Sequence, residues 1–174
     1  MNKAFAFLSI ALISAAVAVG TGCESDEGGT GGTGGTIGPL TWTTPGLTIV
    51  GDTCEFFVDE PLTFEIMIEG STVTMQDTES SLQASTDDYN STDDEITLTG
   101  EALNDDYLPC VVELNDAFEL TLDDPDASLP DNTTVQVTWD HDEIDVSDTV
   151  GDCAGEWFVD LPCAGEATFT LTQE

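Results

Sequence analysis

From Leu62 to Glu69 the chain alternates in character: Leu62, Phe64, Ile66 and Ile68 are apolar, and between them stand Thr63, Glu65, Met67 and Glu69. A period of two is what a strand requires when one face meets a core and the other meets water. Glu69-Gly70-Ser71 reads as a hairpin turn leading into Val73 and Met75. The same alternation returns at Ile96/Leu98, Cys110/Val112/Leu114, Phe118/Leu120/Leu122, Val135/Val137/Trp139 and Ala167/Phe169/Leu171, with Asn115-Asp116 as a second tight turn. No stretch beyond residue 23 places apolar residues at helical spacing. The expected fold is therefore all-β, a single antiparallel meander of seven or eight strands. Such a sheet must close into a small barrel or fold over as a sandwich to cover its apolar face and its edges. The pattern alone does not choose between the two.

The first residues follow a different rule. Met1, Asn2 and Lys3 precede an uncharged apolar run from Ala4 to Val19, and Gly20-Thr21-Gly22 leads to Cys23. That order is the order of a secretory signal, and the run is shorter than the roughly 20 apolar residues a spanning helix needs. Ala16-Val17-Ala18 offers an ordinary small-x-small cleavage site. Gly20-Thr21-Gly22-Cys23 resembles the lipobox of bacterial lipoproteins, with Val19 one step outside the usual aliphatic position. In a lipobox the Cys is acylated and becomes the new N-terminus. Three copies of Gly-Gly-Thr over residues 28–36 follow, a flexible spacer whose coil spans on the order of 20 Å. The chain thus divides into a signal at 1–22, a lipidated Cys23 with a Gly/Thr tether at 23–39, and an acidic β domain at 40–174.

Charge narrows the partners. The chain carries 36 acids, one Lys or Arg and one His, for a formal net charge of -35. Every acid lies after Cys23, and the one basic residue is Lys3. Nucleic acid is excluded as a partner, because its binding rests on Lys and Arg displacing counterions from phosphate. Mutual repulsion among the carboxylates fades as salt rises, since the Debye length falls from about 10 Å at 0.1 M to about 3 Å at 1 M. A saline, halophilic setting or abundant divalent cations is the natural inference.

Cysteine parity bears on processing. The five cysteines are Cys23, Cys54, Cys110, Cys153 and Cys163. Cleavage after Ala18 would export an odd number, whereas acylation of Cys23 leaves four for disulfides in an oxidising compartment. Four cysteines do not fix their own pairing. The preferred reading joins Cys153 to Cys163, around Trp157, and Cys54 to Cys110. A zinc site is the alternative, weakened by long spacings and the lack of C-x-x-C.

Two acidic stretches raise Ca²⁺ as a ligand: Asp87, Asp88, Asn90 and Asp93 in one, and Asp123, Asp124 and Asp126 in the other. Ca²⁺ takes hard oxygens from such loops, but neither stretch has the EF-hand glycine, and clusters arise readily in so acidic a chain. His141, within Trp139-Asp140-His141-Asp142-Glu143, reads as part of a solvated loop rather than as a metal ligand or catalytic base. No G-x-S-x-G accompanies any Ser. A glycosidase-like carboxylate pair cannot be nominated among so many acids. Trp139 continues the inward register of Val135 and Val137, while Trp42 and Trp157 stay open as core or exposed platform.

Taken with the tether and the four domain cysteines, Gly22-Cys23, Asp52-Thr53-Cys54 and Leu161-Pro162-Cys163 resemble the small uncharacterised lipoproteins of myxobacteria and related deltaproteobacteria. The resemblance implies a lipid-anchored location and no particular chemistry. The sequence thus points to a non-enzymatic envelope lipoprotein, its membrane contact made by the N-terminal lipid. Outer membrane is the default, at the periplasmic or surface face, because Glu24 stands where an Asp would favour inner-membrane retention. Its β domain would bind a protein or carbohydrate partner or contribute surface structure. The alternative is a Ca²⁺ or small-ligand binding module. Otherwise no cofactor is expected.

Overall fold

A computed structural model describes residues 35–148, Cys153, Trp157 and residues 159–174, with the side chains of 106 and 107 left aside. The signal at 1–22, the lipidation site Cys23 and the tether through residue 34 lie outside the described residues. Nine strands form one sheet: β1 (Thr36–Thr44), β2 (Thr48–Asp52), β3 (Leu62–Glu69), β4 (Thr72–Asp77), β5 (Gln83–Thr86), β6 (Glu95–Tyr107), β7 (Cys110–Leu122), β8 (Thr134–Asp145) and β9 (Cys163–Gln173). A short 3-10 turn at Leu129–Asp131 lies between β7 and β8.

The meander closes on itself. From β3 to β9 each strand pairs antiparallel with the next, and β1 pairs with β3 on one side and with the end of β9 on the other, through Trp42↔Gln173 and Thr43↔Thr172. Eight strands thereby make a barrel. Pro45 and Gly46 interrupt the chain after β1, and β2 then runs along the rest of the β9 edge from Thr48↔Thr168 to Asp52↔Gly165. Closure satisfies the backbone groups that an open sheet would leave at its edges. β1 opens at Thr36, so the sheet takes in four residues before Leu40 that lack an apolar pattern. There the strand carries a register shift at Gly38, whose φ of 113 and close approach to the Ile66 carbonyl suit glycine.

Alternation delivers the core directly. Trp42, Phe64, Ile66, Ile68, Val73, Met75, Leu98, Phe118, Leu120, Val137, Trp139, Phe169 and Leu171 all point inward and are buried. Phe118 stacks on Trp139 with ring centroids 4.9 Å apart, and Phe64 lies parallel to Phe169 at 6.1 Å. Large aromatic side chains fill a small barrel of this kind. Trp42 belongs to this core, Trp157 is half-buried, and neither forms an exposed platform.

Three expectations need correction. Asn115-Asp116 is not a turn: β7 runs unbroken through it, with Asn115 paired to Asp142 and Asp116 to His141. The residues from Asp140 to Asp145 are not a solvated loop either, because β8 continues to Asp145 in the parity set by Val135 and Val137. The disulfides pair Cys54 with Cys163 and Cys110 with Cys153, with Cα atoms 5.1 and 4.5 Å apart. Register explains the exchange. Because Asp52 of β2 sits opposite Gly165 of β9, the turn after β2 carries Cys54 to Cys163 at the start of β9. Cys110 opens β7, and the segment after β8 folds back on it through Val146 N–H donating to the Val111 carbonyl.

Candidate functional site

The inward positions of β7 and β8 change character along their length. On β7 they run from Cys110, Val112 and Leu114 through Asp116 to Phe118, Leu120 and Leu122; on β8 they run from Val135, Val137 and Trp139 to His141 and Glu143. Asp116, His141 and Glu143 therefore form a polar layer between the barrel core and a second, smaller apolar cluster of Cys110, Val112 and Cys153, flanked by Leu114, Trp157 and Leu161. The register sets the partners: His141 stands opposite Asp116 on β7 and Gly165 on β9, and Glu143 stands opposite Cys163.

His141 is 1% exposed, and both of its ring nitrogens meet carboxylates. Nδ1 donates to Asp116 Oδ1 at 2.9 Å, and Nε2 donates to Glu143 Oε1 at 3.3 Å. Two indoles complete the network. Trp139 Nε1 donates to the same Asp116 oxygen at 2.8 Å, and Trp157 Nε1 donates to Glu143 Oε2 at 2.5 Å. Burial by itself would push the imidazole down, but the hydrogen bonds and negative charges of Asp116 and Glu143 outweigh it and hold the group up at about 9. At neutral pH His141 is therefore an imidazolium. With Lys3 the only Lys or Arg of the chain, it is the sole side-chain cation of the barrel.

Aromatic rings roof this layer. Phe56 stacks on the imidazole at 3.7 Å with an interplanar angle of 11°, and Phe57 meets Trp139 edge-on at 4.9 Å. Their loop is shaped by Asp52, whose carboxylate accepts from Cys54 N at 3.1 Å and from Phe57 N at 2.8 Å. Gly165 leaves room for it: a Cβ there would lie 2.8 Å from Phe57 Cε2 and 3.0 Å from Asp52 Oδ1. Cys54, His141 and Glu143 bring one ligand atom each to within 4.8 Å of one another, all three residues being buried. Because Cys54 is tied to Cys163, its sulfur has no thiolate to offer a metal in this state.

The acidic stretches lie at the other end of β7. Within the first, Thr72 donates to Asp87 Oδ1 at 2.9 Å, and Asn90 N donates to Asp93 Oδ2 at 2.8 Å. In the second, Asp123 accepts from Thr134 and Gln136, and Asp124 Oδ1 accepts from Asp126 N at 3.1 Å. Asn132, also buried, donates to the carbonyls of Asp124, Ala127 and Ser128. Tyr89 links the two stretches by accepting from Leu129 N at 3.4 Å. Asp87, Asn90, Asp93, Asp123 and Asp124 thus hold their own turns and neighbours, and among the described residues none of these acids joins a group of three converging ligands.

Sequence reasoning missed Asp116, His141, Glu143, Phe56 and Phe57 as a unit. The signal available was parity, since His141 and Glu143 keep the inward register of Val135, Val137 and Trp139. No protein-family model, curated protein or solved structure matches the chain.

Proposed function

We propose that the chain is an exported lipoprotein, anchored in the cell envelope by a lipid on Cys23, whose acidic barrel is a non-enzymatic module for partner binding or surface structure. The observation that carries this reading is the complete use of the domain cysteines. Cys54 with Cys163 and Cys110 with Cys153 form two disulfides, which suits an oxidising compartment and leaves Cys23 as the odd thiol. Acylation removes that oddness, and two or more acyl chains make anchoring stable. Outer membrane is the leaflet-level default carried by Glu24, and salt adaptation accounts for the carboxylate surface.

The barrel supports a role played by its exterior. Its interior is filled with side chains, and the one buried basic group, His141, is capped by Phe56 and engaged by two carboxylates, an arrangement suited to holding structure rather than meeting a substrate. On the outer surface a shallow groove of about 340 Å³ is lined by Thr44, Thr48, Gln136, Thr168, Phe169 and Thr170. Its hydroxyls and amide suit a neutral polar partner such as a glycan.

Labelling cells with a radioactive or clickable palmitate and sequencing the mature N-terminus tests the anchor. The expected result is a labelled, membrane-bound protein beginning at Cys23, with Cys23→Ala unlabelled and unprocessed at that site. A mature N-terminus at Val19 with no lipid would overturn the reading.

A further inference from the structure

We infer that reduction of the Cys54–Cys163 disulfide converts the polar layer into a zinc-type metal site, with Cys54, Cys163, His141 and Glu143 as the four ligands. The inference does not depend on where the chain is anchored.

Its basis is the spacing of the donor atoms. Around a tetrahedral Zn²⁺, with metal to N or O bonds of about 2.0 to 2.1 Å and metal to S bonds of about 2.3 Å, neighbouring N and O ligands stand about 3.4 Å apart, and neighbouring O and S ligands about 3.6 Å. His141 Nε2 is 3.3 Å from Glu143 Oε1, and Cys163 Sγ is 3.6 Å from the other oxygen of that carboxylate, Oε2, so Glu143 reaches the two with a different oxygen for each. Cys54 lies in the same group, within 4.8 Å of both. The two sulfurs are closer than a metal would hold them, because they are bonded to each other.

The surroundings match as well. Asp116 Oδ1 accepts from Nδ1–H of His141, which fixes the tautomer that leaves Nε2 for the metal, the arrangement that orients histidine ligands in zinc proteins. Trp157 donates to Glu143 Oε2 and orients the carboxylate. Phe56 and Phe57 cover the layer from a loop that Cys54 pins to β9, so breaking the disulfide removes one tie of the cover. In the oxidised state the imidazolium proton occupies the place of the cation.

The steps balance. A dithiol reductant breaks the S–S bond by closing its own disulfide and passing its two thiol hydrogens to Cys54 and Cys163; a phosphine does so with one water, whose oxygen leaves as phosphine oxide and whose two protons complete the thiols. Metal binding then displaces the two thiol protons and the Nε2 proton, three in all, while the Nδ1 proton stays on His141, hydrogen-bonded to Asp116.

Co²⁺ is the probe, since a tetrahedral thiolate site gives visible d–d bands that an octahedral aqua ion lacks. The full chain, reduced with a phosphine and titrated with Co²⁺, is expected to show these bands with one equivalent bound, lost on adding Zn²⁺ and absent from the oxidised chain. Cys110→Ser with Cys153→Ser should keep the bands, and Cys54→Ser with Cys163→Ser should abolish them. Glu143→Gln and Asp116→Asn should weaken Co²⁺ by about tenfold or more. A reduced chain without the bands, including one that unfolds and binds nothing, overturns the inference. So do bands that survive Cys54→Ser with Cys163→Ser, or that Glu143→Gln and Asp116→Asn leave at full affinity, since these would come from thiols of no defined site.

Discussion

The two halves of β7 teach different lessons about how this chain is held together. From Phe118 to Leu122 its inward side chains join an apolar core of aromatic and aliphatic residues, stabilised by burial and close packing. From Cys110 to Asp116 they join a layer built from one cation, two carboxylates, two indoles and two disulfides. The first region should be insensitive to pH and redox state. The second depends on both, because its central interaction is a protonated imidazole and its borders are sulfur bridges. In a chain of net charge -35, a buried carboxylate pair without its cation would be costly.

Removing a bridge should produce the largest effect. Cys54–Cys163 spans a sequence separation of 109 and Cys110–Cys153 one of 43. The loop-entropy relation gives about 4.8 kcal/mol for the first and about 4.0 kcal/mol for the second. Urea unfolding of the two double Cys→Ser variants is expected to rank them in that order. Equal losses would show that the polar end acts as one cooperative unit.

Truncation within each region sharpens the contrast. Phe118→Ala is expected to cost about 3 to 5 kcal/mol through the cavity it leaves, by the same amount at every pH from 6 to 9, to within about 1 kcal/mol. His141→Gln should cost a similar amount, about 3 to 5 kcal/mol at pH 6, because it strands two buried carboxylates. Its cost should shrink as pH rises, since the wild type loses its own cation. Chemical denaturation of both variants at several pH values separates the two.

The apolar half was legible in the sequence, and the polar half was not, for one physical reason. Alternation reports a strand only while inward residues are apolar, so Leu62 to Ile68 and Val135 to Trp139 declared themselves. His141, Glu143 and Asp116 occupy inward positions with side chains that normally mark loops, and the pattern seemed to end where the strand continued. Asn115-Asp116 resembles a turn on the same ground. The disulfides were out of reach because β2 leaves the order of the meander to pair with β9, a crossover that no local pattern announces. The acids at Asp87, Asp88, Asp123 and Asp124 stood out by density, yet several of them serve their own turns, whereas the structurally decisive acids were isolated within strands.

Salt should have the smallest effect on the contrast, acting on the surface and not on either interior. Raising NaCl from about 0.1 to about 1 M should raise the melting temperature of wild type and of His141→Gln alike, as screening quiets the exposed carboxylates. CaCl₂ at matched ionic strength should give no saturable excess. A saturable excess at sub-millimolar Ca²⁺ would place a cation site at the acidic end that the turn-holding roles of Asp87 and Asp124 do not predict.

The most direct test of the polar layer is the stability of the oxidised chain, in the presence of a chelator, as a function of pH. Because His141 is more basic in the fold, at about 9, than in the unfolded chain, at its ordinary 6.5, its contribution is complete below about pH 6.5 and disappears as pH rises through about 9. The difference corresponds to about 3 kcal/mol. Burial holds Tyr89 above its ordinary value and so above this window, which leaves the window to His141, the one histidine of the chain. The account predicts a fall in unfolding free energy of about 3 kcal/mol between pH 6.5 and 9.5 in the wild type, absent from His141→Gln. A flat wild-type profile, or the same slope in both proteins, would contradict it.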